Sequence, residues 1–501
     1  MEELSHKQVI VSPLPWYKLV LPFSERRMLL FFGDLACLLI AVLGAYWMQL
    51  LLERVFPQEP QMLQGQMSWL FVLAVVWVGM ALVNECYDVD VANRPVLILQ
   101  GLLVTFVGTL VLYLLIFFIL GRPVFATIPL TERSTPFGLG QIHTPPRIIS
   151  MLFLVTSLVL FSLWRVGYIR LLTNFPLQRR AIVVGAGWAG RALVQALRPA
   201  SLDYRLVGFI DDDPEKQGQE VDGLPVLGNR YDLLQQVKST GASEVILAIT
   251  HDIHGDLLKA LMDCYERGIT IRPMSLLYED VLGRVPVQHL GQRWLPVSFW
   301  GNNSYPTLYG AIKRLMDILL GLSGLLVFAV VFPLVALALY IDSPGPIFYV
   351  QERLGKGGKP FRMIKLRSMI HNAEKEGKAV WATHDDARVT RVGKFLRRTR
   401  LDEFPQIVNV LKGEMSIVGP RPERPQFVAQ LQEQIPFYRA RLSVRPGLTG
   451  WAQIKYRYGN TVEDALIKLQ YDLYYIKHRS LLLDILIILR TIKVMLMLRG
   501  I

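Results

Sequence analysis

The sequence predicts a membrane protein in three parts. A four-helix transmembrane bundle covers residues 1–179, a Rossmann-like doubly wound α/β domain covers 180–300, and a third domain, 301–501, is entered through a re-entrant membrane helix at about 312–342. Three observations carry this reading. Four apolar runs crowd the first third of the chain, a glycine-rich turn between strand-like runs opens the middle, and a fifth apolar run has basic residues on both sides. Of the 501 residues, 52% are hydrophobic and 19% charged, and the apolar ones fall in long blocks. That pattern excludes a wholly soluble chain, a disordered one and a disulfide scaffold. Cys37, Cys86 and Cys264 lie far apart and read as small buried hydrophobes. The net charge of +13 asks for an anionic partner: phosphates, an anionic membrane surface or nucleic acid.

The first four runs are roughly Leu29–Leu52, Ser68–Val83, Val96–Leu120 and Ile148–Leu172. They are expected to meet the membrane-helix criterion of about 20 apolar residues for a hydrocarbon core of about 30 Å. The polar start of the chain does not read as a signal peptide. Lys7, Lys18, Arg26 and Arg27 precede the first run, and Arg165, Arg170, Arg179 and Arg180 close the fourth, so both ends of the bundle are expected in the cytoplasm. Asp34 falls inside the first run, where it reads as a carboxylate near the interface.

In the middle, Ala181–Val184 is a buried-strand run leading into Gly185-Ala-Gly-Trp-Ala-Gly190 and a helical pattern. Leu206–Ile210 ends in Asp211-Asp-Asp-Pro214, and Glu244–Ile249 follows. Alternating strands and helices predict a parallel sheet. Gly185, Gly187 and Gly190, with Asp211 about 20 residues on, match a dinucleotide fingerprint. No second nucleotide-binding half follows, so the expectation is a regulatory or assembly module without hydride chemistry.

The fifth run, about Ile318 to Ile341, is preceded by Lys313 and Arg314. After it, Gln351–Arg400 holds 14 Lys/Arg against 5 Asp/Glu. A full crossing would put this most basic segment outside, against the positive-inside rule. Pro333 removes a backbone hydrogen bond within the run, and a bent helix returning to the same face satisfies both facts. The closing segment Leu481–Leu498, apolar except for Asp484, Arg490 and Lys493, reads as a membrane-surface helix.

Chemistry concentrates between Ser343 and Tyr475. Asp402 and Glu403 are sequence neighbours and so cannot straddle a bond as glycosidase carboxylates do. Asp402 is a good N-cap type, Pro405 suits a first turn, and Gln406–Lys412 runs helically to a stop at Gly413. Beside Arg397, Arg398 and Arg400, such a carboxylate is expected to stay ionised near neutrality. It could then attack phosphorus or hold a metal ion. The density of arginines favours chemistry on a phosphate.

From about Ile312 to the end, the chain resembles the bacterial sugar transferases, monotopic phosphoglycosyl transferases that start cell-surface glycan assembly on a polyprenyl phosphate. The resemblance rests on Ser343-Pro-Gly-Pro346, Lys365-Leu-Arg-Ser-Met369, Leu401-Asp-Glu-Phe-Pro-Gln406, Gly419-Pro-Arg-Pro422, Arg445-Pro-Gly-Leu-Thr-Gly-Trp-Ala-Gln453 and Asp472-Leu-Tyr-Tyr-Ile-Lys477. With the leader and the α/β domain, it extends to the large multidomain form. The resemblance implies a ping-pong transfer in which Asp402 attacks the β-phosphate of a UDP-hexose, glucose or galactose, and UMP leaves. Undecaprenyl phosphate then takes the phosphosugar, and exopolysaccharide, capsule or O-antigen assembly begins. Glu403 would be the partner acid, and Mg2+ held by Asp402 and Glu403 would neutralise the diphosphate. Lys365, Arg367, Arg388, Arg391, Arg397, Arg398, Arg421, Gln453, Asp472 and Tyr475 are the expected phosphate and substrate contacts. Expected partners are membrane lipids and a homodimeric copy, with no nucleic acid, in the bacterial inner membrane with the N-terminus and both later domains cytoplasmic. The sequence departs from the family at Ile454-Lys455-Tyr456, where asparagine and glycine are common, and at Arg479, where an aromatic is. Rival readings are a membrane nucleotide-sugar dehydratase, which needs a second dinucleotide domain, and a non-catalytic scaffold, which does not need Asp402.

Overall fold

A computed structural model describes residues 23–55, 61–84, 86–87, 95–120, 147–174, 179–200, 204–249, 253–289, 307–370, 388–456, 459 and 461–496. Lys7, Lys18, Trp300 and much of the basic block between 371 and 387 lie outside the described residues. The chain packs as two compact units, Met1–Arg180 with Ser201–Arg205, and Ala181–Ala200 with Leu206–Ile501.

The first unit contains four helices: α1 (Phe23–Val55), α2 (Gln61–Val83), α3 (Pro95–Leu120) and α4 (Arg147–Asn174). Stretches Leu29–Met48, Val96–Leu115 and Ser150–Arg170 are long and apolar enough to cross a membrane, whereas the apolar part of α2 found here, Leu70–Val83, is shorter. Together with the apolar α9 described below, these helices make this a membrane protein. Their apolar residues split between an interior, where Trp77 meets Phe161 with ring centroids 5.1 Å apart, and an outer surface of Phe71, Leu103 and Val155. A helix that is apolar all round suits a lipid solvent.

Two sequence expectations are corrected here. Asp34 is a buried polar contact: it is 1% exposed, and Arg165 Nη2 of α4 donates to its Oδ2 at 2.6 Å. Arg165 is therefore not a solvent-facing flank of the fourth span but a fully buried partner. A lone charge in this interior would be costly, and pairing offsets that cost.

The second unit begins with a six-stranded sheet of order β3-β4-β2-β1-β5-β6. Its strands are β1 (Arg179–Val184), β2 (Tyr204–Ile210), β3 (Glu220–Val221), β4 (Leu224–Gly228), β5 (Glu244–Leu247) and β6 (Thr270–Pro273). The pairs β1–β5, β5–β6 and β2–β4 run parallel, and β3 closes the edge antiparallel. Ala181–Val184 is wholly buried, as a strand covered on both faces requires. The connecting helices are α5 (Trp188–Ala200), α6 (Leu233–Thr240), α7 (Gly255–Glu266) and α8 (Met274–Leu282). Glu279 of α8, 1% exposed, accepts from Lys477 Nζ at 2.9 Å, and Trp451 Nε1 donates to Gly283 O at 2.8 Å. The sheet domain thus joins the rest of its unit through buried polar contacts.

The remainder is built on α9 (Thr307–Asp342), a 36-residue helix about 54 Å long. It runs through Pro333 without a break. A proline costs one main-chain bond there, and Phe328, Phe332 and Val335 around it pack against the cluster of Leu339, Leu366 and Leu396, which holds both halves. One face of α9 is an exposed apolar stripe at spacings of three and four: Leu319, Leu322, Leu326, Val330, Leu334 and Leu337. The opposite face carries Asp317, whose Oδ1 accepts from Ser416 Oγ (3.0 Å) and Ile417 N (2.9 Å). Gly321 and Gly324 let Leu411 and Ile407 approach the helix closely.

Around α9 lie the antiparallel pair β7 (Phe348–Leu354) and β8 (Pro360–Leu366), α10 (Arg391–Thr399), α11 (Ile407–Lys412), and the parallel pair β9 (Ser416–Val418) and β10 (Gly447–Thr449). The helices α12 (Pro425–Gln434), α13 (Trp451–Lys455), α14 (Val462–Lys477) and α15 (Leu481–Leu496) complete it. α15 turns Asp484 and Ile487 inwards, both fully buried, and Leu482, Ile485 and Ile492 outwards.

Candidate functional site

Two elements bring the carboxylates into place. α10 ends on Arg400 in the left-handed region (φ 57°), and a 3-10 turn over Leu401–Gln406 follows at once. The expected N-cap at Asp402 does not form. Arg400 is the capping residue, Asp402 and Glu403 occupy the first turn, and the helix proper starts at Ile407 and stops at Gly413 (φ 85°). A left-handed conformation at a non-glycine residue is strain that the surroundings must hold. Asn409, fully buried, anchors the following helix: its Nδ2 donates to Arg362 O at 2.8 Å and its Oδ1 accepts from Ile364 N at 3.3 Å. This fixes the turn over β8. Phe404, beside the dyad, lies 6.2 Å from Phe328 of α9, ring centroid to ring centroid. The carboxylates therefore sit close to the membrane helix.

Asp402 and Glu403 are each 8% exposed. Glu403 Oε1 accepts from Arg421 Nη2 at 2.6 Å and from Lys365 Nζ at 3.2 Å. Burial pushes its carboxyl up, but the charges of Arg421, Lys365 and Arg400 win and hold it well below the usual carboxylate range. Asp402 differs. Among the described residues nothing donates a hydrogen bond to its carboxylate. Burial first and the neighbouring Glu403 charge second push it up to about 6, against the pull of Lys365, Arg397 and Arg421. The arginines expected to favour an ionised Asp402 do pull its carboxyl down, but burial outweighs them. The titration of two adjacent acids has been driven apart, Glu403 downward and Asp402 upward.

The expected contacts divide. Lys365 and Arg421 touch the dyad, and Arg397, whose Nε donates to Ser368 Oγ at 2.9 Å, acts on Asp402 through its charge. Arg367 is buried and donates to the carbonyls of Ser343 and Pro344, so it holds the exit turn from α9. Arg391 and Arg398 lie on the exposed side of α10. Arg388 gives its carbonyl to Ile370 N at 2.9 Å. Asp472 is buried against Arg441 (2.8 Å). Tyr475 donates its hydroxyl to Asp484 Oδ1 at 2.8 Å, which also receives Lys313 through Oδ2 at 3.0 Å, so it serves the docking of α9. Both amide heavy atoms of Gln453 are buried without a hydrogen-bond partner among the described residues. Sequence reasoning missed Asn409, Asp317 and Arg441. Asp317, a charge at the edge of an apolar run, was the one signal available.

The glycine fingerprint also takes a different meaning. Gly185 needs its φ of 106°, and Gly190 packs on the Gly185 carbonyl with no room for a side chain. Asp211 is bonded within the domain: its Oδ2 accepts from Ala186 N at 2.7 Å and its Oδ1 from Asp213 N at 3.0 Å. The carboxylate ties the glycine-rich turn to the end of β2.

The geometry is thus a cation-clamped acid pair beside a membrane helix. The bacterial sugar transferase profile matches residues 308–498, and a CoA-binding domain profile matches 145–274. An Aeromonas hydrophila protein named UDP-N-acetylgalactosamine-undecaprenyl-phosphate N-acetylgalactosaminephosphotransferase is 42% identical over 245 residues, 49% of this chain and 56% of that one. The undecaprenyl-phosphate glucose phosphotransferase of Komagataeibacter xylinus is 33% identical over 413 residues, 78% of this chain and 72% of that one. The UDP-glucose:undecaprenyl-phosphate glucose-1-phosphate transferase of Escherichia coli K12 is 32% identical over 353 residues, 66% of this chain and 74% of that one. The chain thus spans about half the length of the Aeromonas relative and nearly three quarters of the other two. It belongs to the bacterial sugar transferase family.

Proposed function

We propose that this protein moves a hexose 1-phosphate from a UDP-sugar to undecaprenyl phosphate and releases UMP, the first membrane step of a surface-glycan assembly. The observation that carries this is the division of labour in the dyad: Glu403 clamped by Arg421 and Lys365, and Asp402 buried with no donor to its carboxylate among the described residues. An oxygen of Asp402 attacks the β-phosphorus. The bond from that phosphorus to the bridging oxygen breaks, and UMP leaves with the electron pair. A phosphate oxygen of undecaprenyl phosphate then attacks the same phosphorus, frees Asp402 and forms the lipid diphosphate sugar. Arg421, Lys365 and Arg397 offset charge on the phosphoryl oxygens, as transfer of this kind needs positioning and neutralisation above all. Names of the relatives favour glucose or N-acetylgalactosamine as the sugar.

Magnesium fits these residues. Among the described residues no three acidic, histidine or cysteine side chains converge to cage a metal. Asp402 and Glu403 suit an ion held by one or two carboxylates and completed by substrate phosphates and water. When bound it would supply charge neutralisation at the diphosphate.

The same reading puts α9 into one leaflet from the cytoplasmic face of the inner membrane. Its start is bonded to the domain through Lys313 and Asp317, and its end through Asp342, whose Oδ2 accepts from Val392 N at 2.9 Å. A helix with both ends bonded to one domain and an apolar stripe facing away supports burial of that stripe in the leaflet on the domain's side. The function is tested by incubating the purified protein with a panel of UDP-sugars and undecaprenyl phosphate. UMP release that is lost in Asp402→Asn supports it, and unchanged release in that variant overturns it.

A further inference from the structure

The loop that presents Arg421 is built from behind. Gly419 N donates to Thr449 O (2.9 Å) and Gly447 N to Pro420 O (2.8 Å), backbone against backbone. The carbonyl of Arg421 itself is taken by Arg441 Nη2 at 3.0 Å. The same nitrogen donates to Asp472 Oδ2 at 2.8 Å, and Nη1 donates to Tyr438 Oη at 2.7 Å. Glu423, two residues further along the loop, stands 3.7 Å from Arg441. The two charged side chains of the Arg441–Asp472 pair are 6% and 2% exposed, out of reach of a substrate. A buried ion pair is no efficient way to gain stability, since apolar residues of equal volume often do as well. Its orientation gives a better reason. Arg441 grips the loop at Arg421 and Glu423, and Arg353 Nη1 grips Pro422 O between them at 3.1 Å. From that fixed backbone Arg421 reaches Glu403 at 2.6 Å.

We propose that Arg441, oriented by Asp472, is a positioning residue for the transfer reaction: it sets the Arg421 loop and, through Arg421, the aim of Glu403 beside the nucleophile. This rests on the transfer reading above. It also gives Asp472 a role other than substrate contact. Misplacement of a catalytic group by about 1 Å costs on the order of 10²-fold in rate, so loosening this loop is expressed in turnover more than in substrate binding.

The test uses the full chain in nanodiscs, with UMP release from UDP-glucose and UDP-N-acetylgalactosamine measured in the presence of undecaprenyl phosphate. Arg441→Met is expected to lower kcat by about 10²-fold with KM for the UDP-sugar within about threefold, and Asp472→Asn to lower kcat by about tenfold. Combining Arg441→Met with Arg421→Met should cost no more than Arg421→Met alone, because both act through one contact. A merely structural role would give additive losses. Additive losses, or wild-type kcat in Arg441→Met, overturn the proposal. Should Arg441→Met fail to fold, the same cycle with Asp472→Asn and Arg421→Met decides by the same two outcomes. A wild-type chain that releases no UMP from either sugar nucleotide overturns the transfer reading and this inference with it. Additive losses against an active wild type overturn this inference alone.

Discussion

Arg421 Nη2 stands 2.6 Å from Glu403 Oε1 and makes the second acid of the dyad a permanent anion. Burial raises the basicity of Asp402, and the fixed negative charge of Glu403 beside it adds to that rise.

Replacing Arg421 is therefore expected to be severe. Arg421→Met should lower kcat/KM by about 10²- to 10³-fold, the cost typical of losing one preorganised charge-stabilising donor. Arg421→Lys should recover part of this, since it keeps the charge but not the guanidinium geometry. Steady-state UMP release is the check, and equal activity in both variants would show that Arg421 is not coupled to the dyad.

Asp402 should leave a mark on stability. Its folded value of about 6 lies above the usual carboxylate value of about 3.9, so between those limits the native state holds a proton that the unfolded chain has lost. Stability contributed by this group is thus lost as pH rises through that window. In EDTA, Asp402→Asn should be more stable than wild type at pH 8 by on the order of 1–3 kcal/mol, a gain that closes towards about pH 4. Melting curves across pH read this directly. A variant less stable at pH 8 than at pH 4, relative to wild type, would contradict it.

Much of the architecture was legible in the sequence because it is local. The apolar runs became α1 to α4 and α9, Ala181–Val184 became a buried strand, and Gly413 ended α11. What was not legible depends on partners far along the chain. Asp34 finds Arg165 131 residues away, and Asp472 finds Arg441 31 residues away. Asp472 and Tyr475 stood out by motif, and their partners within the fold, Arg441 and Asp484, did not. The N-cap expected at Asp402 failed for a local reason: Arg400 takes up the left-handed turn, and a 3-10 turn absorbs Pro405 before α11 begins.

The buried pair Asp34–Arg165 predicts a clear asymmetry. Asp34→Ala alone leaves an uncompensated buried guanidinium and should cost about 3–5 kcal/mol. Asp34→Ala with Arg165→Leu should recover most of that. Thermal unfolding in nanodiscs measures both, and equal losses for the single and double variants would mean that the pair does not carry the bundle.

The sheet domain should not bind NAD(H) well, because Asp211 is committed to Ala186 N and Asp213 N. Calorimetric titration of the full chain is expected to give a Kd weaker than about 1 mM, and removing NAD(H) should leave UMP release unchanged. Micromolar binding coupled to activity would restore the dehydratase reading.

Anchoring of α9 in one leaflet predicts that Asp256→Cys and Glu433→Cys, in a background cleared of Cys37, Cys86 and Cys264, are shielded together from an impermeant thiol reagent on intact cells and labelled together after lysis. Labelling of Glu433→Cys alone on intact cells would show that α9 crosses.

The central claim is the covalent role of Asp402, and mass spectrometry of the trapped enzyme tests it most directly. Protein held with a reactive UDP-sugar but no lipid should carry a phosphosugar on the peptide containing Asp402, and adding undecaprenyl phosphate should discharge it. The adduct should be absent from Asp402→Asn. A phosphosugar on any other residue, or UMP release by the Asn variant at the wild-type rate, would contradict the account.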